Sequence, residues 1–383
     1  MSTLPLLLHV TYSFEAGGAE MRTATLMNAL AGEFRHRIIA IDGQYGCAAR
    51  LHPDVDWAPV AAPGRRKPWS AAAGLRQLLR ELRPALLLTY NWGAIDALLA
   101  LLPDRICPAV HVEDGFGPDE ARGLKARRLW TRRVVLPRVT RRVVVPSATL
   151  YRIAEAHYGL PEGHLLRVPN GVDTVRFQPG GAPELRNALG IPGDSFVVGT
   201  VARLRPEKDL PYLVHRFADA GLPEARLLIA GSGSSEMEIR EAARSRGVLD
   251  RVVFAGELRD PAPCYAAMDL FAMSSTTEQM PMGLLEAMSS GLPALCTDVG
   301  DIPDMLPPGQ RQFAVPHSRP EAYTAELRRL AADAGLRAEL ARENRKRAEA
   351  EFSLNRMIER WREVYIEALH MPSMPQEQGE DIP

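Results

Sequence analysis

The feature that most restricts the fold is a rhythm: short apolar runs alternate with longer stretches of helical spacing from one end of the chain to the other. A parallel sheet requires this order, because each strand must return to the same end of the layer through a crossover, usually a helix. The chain therefore reads as α/β. In the first half the expected strands are 6–10, 37–41, 85–89, 108–112 and 142–145, the first followed by a Gly-Gly turn and a helix from about Ala19 to Ala31. A second series begins at 196–201 and continues at 226–230, 252–255, 270–273 and 294–297. Ligands of open α/β sheets gather at the carboxyl ends of the strands, so two such series joined by one linker imply a deep cleft suited to a two-part substrate.

At 383 residues the chain exceeds what one hydrophobic core serves, which favours two domains. Between Val168 and Gly193 lie Pro169, Gly171, Pro179, Gly180, Gly181, Pro183 and Pro192, too many breakers for a core element, and the linker is placed there. The expected division is 1–180 for the first domain, 181–355 for the second, a helix at 356–370 returning to the first, and a disordered tail at 371–383. In 354–370, Met357, Trp361, Val364, Tyr365 and Ala368 recur at helical spacing, a stripe that needs an apolar surface.

A net charge of -1 with 24% charged residues names no partner in bulk and argues against nucleic acid. Cys47, Cys107, Cys264 and Cys296 are far apart and form no C-x-x-C pair, so neither a zinc site nor a disulfide framework is expected, and a reducing cytosol fits best. The first ten residues lack the basic start and cleavage site of a signal peptide. No apolar stretch approaches the roughly 20 residues of a membrane span, so the expected location is cytoplasmic.

Three segments carry chemistry. Gly17-Gly18-Ala19-Glu20 follows a strand and opens a helix, where glycines admit a ligand and free N–H groups face an anion; plain turn chemistry is the competing reading. Arg203-Leu-Arg205-Pro-Glu-Lys208-Asp209 follows a strand of the second half, and its cations can converge on a diphosphate or simply face solvent. Glu278 and Glu286 stand eight positions apart, with Glu278 in a loop and Glu286 inside an expected helix at 283–290. Glu286 lies among Leu284, Leu285, Ala287 and Met288, where a carboxylate needs a partner, and a carboxylate can accept bonds from both hydroxyls of a ribose or hexose.

These segments, with Asn170-Gly-Val-Asp at the linker, Gly231-Ser-Gly233 and Gly291-Leu-Pro-Ala, occur in an order that resembles the retaining glycosyltransferases of family 4, with the GT-B fold of two Rossmann-like domains facing each other across a cleft. The resemblance covers nearly the whole chain. It implies that Gly17 and Gly18 lie against donor phosphates or acceptor, and that Arg203 and Lys208 neutralise a diphosphate leaving group without a metal or other cofactor. It implies also that Gly231 and Gly233 let the chain pass close to the nucleotide, that 254–258 borders the base, and that Glu286 holds the ribose. Glu278, with the backbone from Gln279 to Gly283, would hold hydroxyls of the transferred sugar, and Met280, Pro281, Met282, Gly283 and Leu284 belong to the donor-binding stretch. Such enzymes react on one face of the sugar, and a phosphate oxygen takes the acceptor proton, so no catalytic dyad is needed.

The sequence departs from the family in two places. A histidine usually found near the donor sugar corresponds here either to His111 or to Asp114, in His111-Val-Glu113-Asp114-Gly115, and sequence leaves both open. Glu278 precedes Gln-Met-Pro and not the usual Gly-rich run, which bears on the identity of the sugar. The expected partners are a UDP- or GDP-linked sugar and a glycan or lipid-linked acceptor. Residues 122–142 hold nine Lys or Arg and no acid, with Trp130 and leucines between them, which suits an anionic membrane surface, a phosphate-rich acceptor or a solvated helix; Arg65-Arg66-Lys67 with Trp69 forms a second such patch. A dinucleotide oxidoreductase would need G-x-G-x-x-G after the first strand, which is absent. A sugar-nucleotide 2-epimerase would need acid and base residues around one sugar carbon, and none is identified. A scaffold that had lost catalysis would be expected to lack Arg203, Lys208 or Glu286, and all three are present.

Overall fold

The computed structural model describes residues 4–64, 68–115 and 125–371. The chain forms two compact units. Among the described residues, one comprises those up to Pro146, Leu150–Val168 and those from Ile358 on; the other comprises Ser147–Thr149 and Pro169–Met357.

The first unit is built on seven strands: β1 (Leu6–Thr11), β2 (Arg35–Ala40), β3 (Trp57–Pro59), β4 (Leu86–Tyr90), β5 (Ala109–Val112), β6 (Arg142–Val145) and β7 (Leu165–Arg167). Their order is β3-β2-β1-β4-β5-β6-β7, all parallel. The second unit holds β8 (Val197–Val201), β9 (Arg226–Ala230), β10 (Val252–Gly256), β11 (Leu270–Met273), β12 (Ala294–Thr297) and β13 (Ala314–Val315) in the order β10-β9-β8-β11-β12-β13, again parallel. Each sheet is doubly wound, and each reverses direction once, between β1 and β4 and between β8 and β11. Central strands are apolar on both faces, as in Leu86-Leu87-Leu88 and Leu227-Leu228-Ile229, because helices cover both sides.

The breaker-rich stretch after Val168 is not a free linker. Phe177 and Ile191 are buried in the core of the second unit, and Pro183–Ala188 is a short helix with Pro at its start. The break between units therefore falls at Val168/Pro169, some residues before the density of Pro and Gly suggests.

Helix Leu354–His370 contributes to the first unit from Ile358 on. Trp361, Val364, Tyr365 and Ala368 are all buried. The Arg22 guanidinium lies 5.4 Å from the Trp361 ring centre, and Phe34 meets Tyr365 edge-on at 5.9 Å. The Trp361 indole Nε1 has no hydrogen-bond acceptor among the described residues, so the side chain acts there through its volume. Trp361→Ala should cost about 3–5 kcal/mol in a denaturant titration, whereas Trp361→Phe, which leaves no polar partner stranded, should cost less than half as much.

Candidate active site

In open α/β sheets the crevice for a ligand opens where neighbouring strands send their crossovers to opposite sides. In the second unit that point lies between β8 and β11. Lys208 comes from the turn Pro206–Lys208 after β8, and Glu278 from the loop after β11. The Lys208 Nζ stands 2.5 Å from Glu278 Oε1, which also accepts a bond from the Ser275 hydroxyl at 2.7 Å. The two loops are laced further: Ser274 Oγ donates to the Lys208 carbonyl at 2.8 Å and the Thr276 N–H to the Glu207 carbonyl at 2.9 Å.

The residue after Lys208 is under conformational constraint. Asp209 is left-handed, φ 40° and ψ 51°, a conformation that costs a side-chain-bearing residue energy. Its carboxylate offsets that cost by capping helix Leu210–Ala220 through the Tyr212 N–H at 3.3 Å and by meeting His317 Nε2 at 2.8 Å. On the other side, Gly300 (φ 58°) packs so closely on the Glu278 carbonyl that a Cβ there would collide with it.

At the same end of this sheet opens a cavity of ≈ 510 Å³, which neither Lys208 nor Glu278 lines. It lies at the carboxyl ends of three adjacent strands: Arg203 and Arg205 after β8, Gly231 to Ser234 after β9, and Glu257 and Leu258 after β10. Met282, Gly283 and Glu286 of helix Met282–Ser289 complete the wall. Gly231 (φ 131°) and Gly233 are required by close approach, since a Cβ on either would run into the carbonyl of Ala202 or Leu204 in the neighbouring loop. The loops are stitched by Ala202 N–H to Ala230 O (3.0 Å) and Leu204 N–H to Ser232 O (2.9 Å).

Glu286 is the one strongly perturbed acid of this cavity. Burial pushes its carboxyl up to about 7, against the opposing effect of a bond accepted from the Tyr265 hydroxyl at 2.6 Å. Nothing in the local sequence marks Tyr265, which stands on another helix, Ala262–Ala266.

Of the residues the sequence singles out, Arg203, Gly231, Gly233, Met282, Gly283 and Glu286 line one cavity. Lys208 and Glu278 stand at the same end of the sheet. Met280, Pro281 and Leu284 are buried. Asn170 does not line the cavity; its Nδ2 donates to the Met280 carbonyl at 3.2 Å and fixes that loop.

The first unit treats its candidates differently. His111 is on β5, 1% exposed, bonded through Nδ1 to Thr89 Oγ1 at 2.9 Å and facing Glu113 at 3.6 Å. Burial works against the Glu113 charge, but His111 and Arg132 outweigh it and hold the carboxyl at about 2. His111 is thus part of an internal ion network and reaches no solvent, which removes it as a substrate contact. Asp114 is half-buried. It is clamped by two bonds from Arg22, at 2.5 and 2.9 Å, with its backbone N–H donating to Asn91 Oδ1 at 2.7 Å. Gly17 precedes helix Gly18–Ala29, and the Glu20 carboxylate folds back to where a Cβ of Gly17 would sit. That helix end carries its own carboxylate.

Glu286 binds more protons folded than unfolded between about 4.5 and 7, so its burial costs stability as pH rises through that window. Glu286→Gln should therefore raise the melting temperature at pH 8 and leave it nearly unchanged at pH 5. A loss of stability at pH 8 would contradict the strain assigned to the carboxylate.

Among the described residues no three His, Cys, Asp or Glu side chains gather as a metal-binding set, and no helix is long and apolar enough to cross a membrane. Residues 16–176 match the model for Glycosyltransferase Family 4, and residues 182–347 that for Glycosyl transferases group 1. The chain is 29% identical over 283 residues to a GDP-mannose-dependent alpha-mannosyltransferase of Mycobacterium tuberculosis (strain CDC 1551 / Oshkosh), covering 72% of this chain and 70% of that enzyme. It is 34% identical over 200 residues to a D-inositol 3-phosphate glycosyltransferase of Actinosynnema mirum, covering 48% of this chain and 47%, about half, of that relative. In fold it resembles the crystal structure of Anabaena Alr3699/HepE in complex with UDP, with a TM-score of 0.81 at 19% identity over 94% of this chain and 99% of that one. The two parallel sheets are those of the GT-B fold, and the chain belongs to the family 4 glycosyltransferases.

Proposed function

We propose that the chain is a retaining, metal-independent glycosyltransferase that takes a sugar from a UDP- or GDP-linked donor and passes it to a glycan or lipid-linked acceptor. The observation that carries this reading is the cavity at the ends of β8, β9 and β10, lined by Arg203, Gly231, Gly233 and Glu286, with the Lys208–Glu278 pair at the same end of the sheet. At ≈ 510 Å³ the cavity falls within the roughly 300–1,000 Å³ of small-molecule sites.

Each residue then has a physical task. The diphosphate lies against Arg203 and Lys208, whose charges are fixed before reaction and stabilise the negative charge that grows as the glycosidic bond breaks. Glu286 accepts bonds from the ribose hydroxyls, and donor binding uses the carboxylate that the fold keeps at a cost. Glu278, held by Lys208 and Ser275, offers its remaining lone pairs to hydroxyls of the transferred sugar. The acceptor hydroxyl attacks the face the phosphate leaves, and a departing phosphate oxygen takes its proton. The cations supply the charge stabilisation that a metal provides elsewhere. Names of relatives support the donor class: one is GDP-mannose-dependent, and a structural neighbour was crystallised with UDP-glucose.

The basic helix supports a lipid-linked acceptor at an anionic membrane surface on the inner face of the membrane. Helix Ala126–Val139 exposes Trp130 (66%) with Lys125, Arg127, Arg133 and Arg138. Arg132 turns inward to Glu113 at 2.9 Å and is not part of that face. Arg122, the other basic patch at 65–67 and the tail from 372 lie outside the described residues.

Lys208→Ala should lower kcat by about 10²–10³ and, because Glu278 loses its cation, lower the melting temperature while keeping the fold; turnover within a factor of about two of wild type would remove Lys208 from the mechanism. Product analysis by NMR should show the anomeric configuration of the donor retained, and turnover should be unaffected by EDTA.

A further inference from the structure

We infer that Glu257 selects a guanine base, so that the donor nucleotide is a GDP-sugar and not a UDP-sugar. This rests on the nucleotide reading of the cavity given above and adds the identity of the base.

The cavity is polar at both ends, and the ends differ in sign. Arg203 and Arg205 stand after the central strand β8, whereas Glu257 follows β10, the edge strand two places away. A nucleoside diphosphate laid with its phosphates toward the arginines and its ribose on Glu286 carries its base toward the β9 and β10 loops. There the wall is Gly231 and Gly233, without side chains to obstruct a flat ring, and Leu258, an apolar surface 36% exposed.

At that end the acceptor is a carboxylate. Glu257 Oε2 accepts a bond from the Ser232 hydroxyl at 2.7 Å, which fixes the group while leaving Oε1 and a second lone pair of Oε2 unused by this bond. Guanine alone among the common bases presents two adjacent N–H donors on one edge, N1–H and the 2-amino group, spaced to meet the two oxygens of a carboxylate. Uracil presents a single N–H flanked by two carbonyl oxygens, which face the carboxylate oxygens with like partial charge. Adenine and cytosine each set a bare ring nitrogen acceptor beside their amino group. A site that hydrogen-bonds a substrate N–H rejects analogues lacking it far more strongly than a shape-based pocket does. Glu257 lies on the surface, so its replacement leaves the core untouched.

The test is isothermal titration of the full chain with GDP and UDP, for wild type, Glu257→Gln and Glu257→Ala, with melting temperatures as a folding control. The wild type should bind GDP at least about tenfold more tightly than UDP, and both variants should lose about tenfold in GDP affinity with unchanged melting. The Gln variant, which sets an amide N–H₂ against a guanine donor, should be no better than Ala for GDP. Equal or tighter binding of UDP by the wild type overturns the base assignment while leaving the nucleotide cavity standing. An undiminished GDP preference in both variants removes Glu257 as its source. Binding of neither nucleotide overturns the cavity reading itself, and the base assignment with it.

Discussion

The contact on which the site depends is the pairing of Lys208 with Glu278 across the reversal point of the second sheet. Two neighbouring parallel strands end side by side, their crossovers leave in opposite directions, and the space between the departing loops must be filled or become a crevice. Here the loops are tied by a cation, a carboxylate and two hydroxyl-bearing side chains, Ser274 and Thr276, while Ser275 holds the carboxylate from its own loop. The cavity follows from adjacency: β9 and β10 lie beyond β8, and their loops supply the glycines and Glu257.

Stability is given up in the same region. Glu286 is held in surroundings that disfavour its charge, Asp209 sits in a left-handed conformation next to Lys208, and Gly231, Gly233 and Gly300 admit backbone contacts that no side chain would tolerate. Strain and buried charge concentrated around one crevice are what a binding site requires when its groups must be set before the ligand arrives. In the first unit the comparable cost is satisfied internally: the buried Glu113 carboxylate is paired by Arg132 through two bonds, with the His111 ring 3.6 Å away. That network holds a strand and leaves nothing for a substrate.

Much of the architecture was legible because central strands of parallel sheets are buried on both faces and read as unbroken apolar runs. Strands 142–145, 226–230, 270–273 and 294–297 coincide with expectation to the residue, and the last helix begins at Leu354, two residues before the expected 356. The edge strands Trp57–Pro59, Leu165–Arg167 and Ala314–Val315 went unseen, being two or three residues long and too short for any period. The site divided the same way. Arg203 could be placed from a strand end, Glu286 from its apolar helical neighbours and Gly231 and Gly233 from the resemblance, whereas Tyr265, His317 and Ser232 act through contacts distant in sequence. His111 misleads because a histidine at a strand end looks the same in sequence whether it faces ligand or core; only the buried Arg132, from a helix that otherwise reads as a charged surface, decides between them.

The central claim is that the crevice at the ends of β8, β9 and β10 receives a nucleoside diphosphate, with its phosphates toward Arg203 and Lys208. A crystal structure of the chain with a bound nucleoside diphosphate tests it most directly. The account predicts phosphate oxygens within hydrogen-bond distance of Arg203 and Lys208 and ribose hydroxyls on Glu286. A nucleotide bound elsewhere, or one in the cavity with its phosphates turned away from both cations, would contradict it.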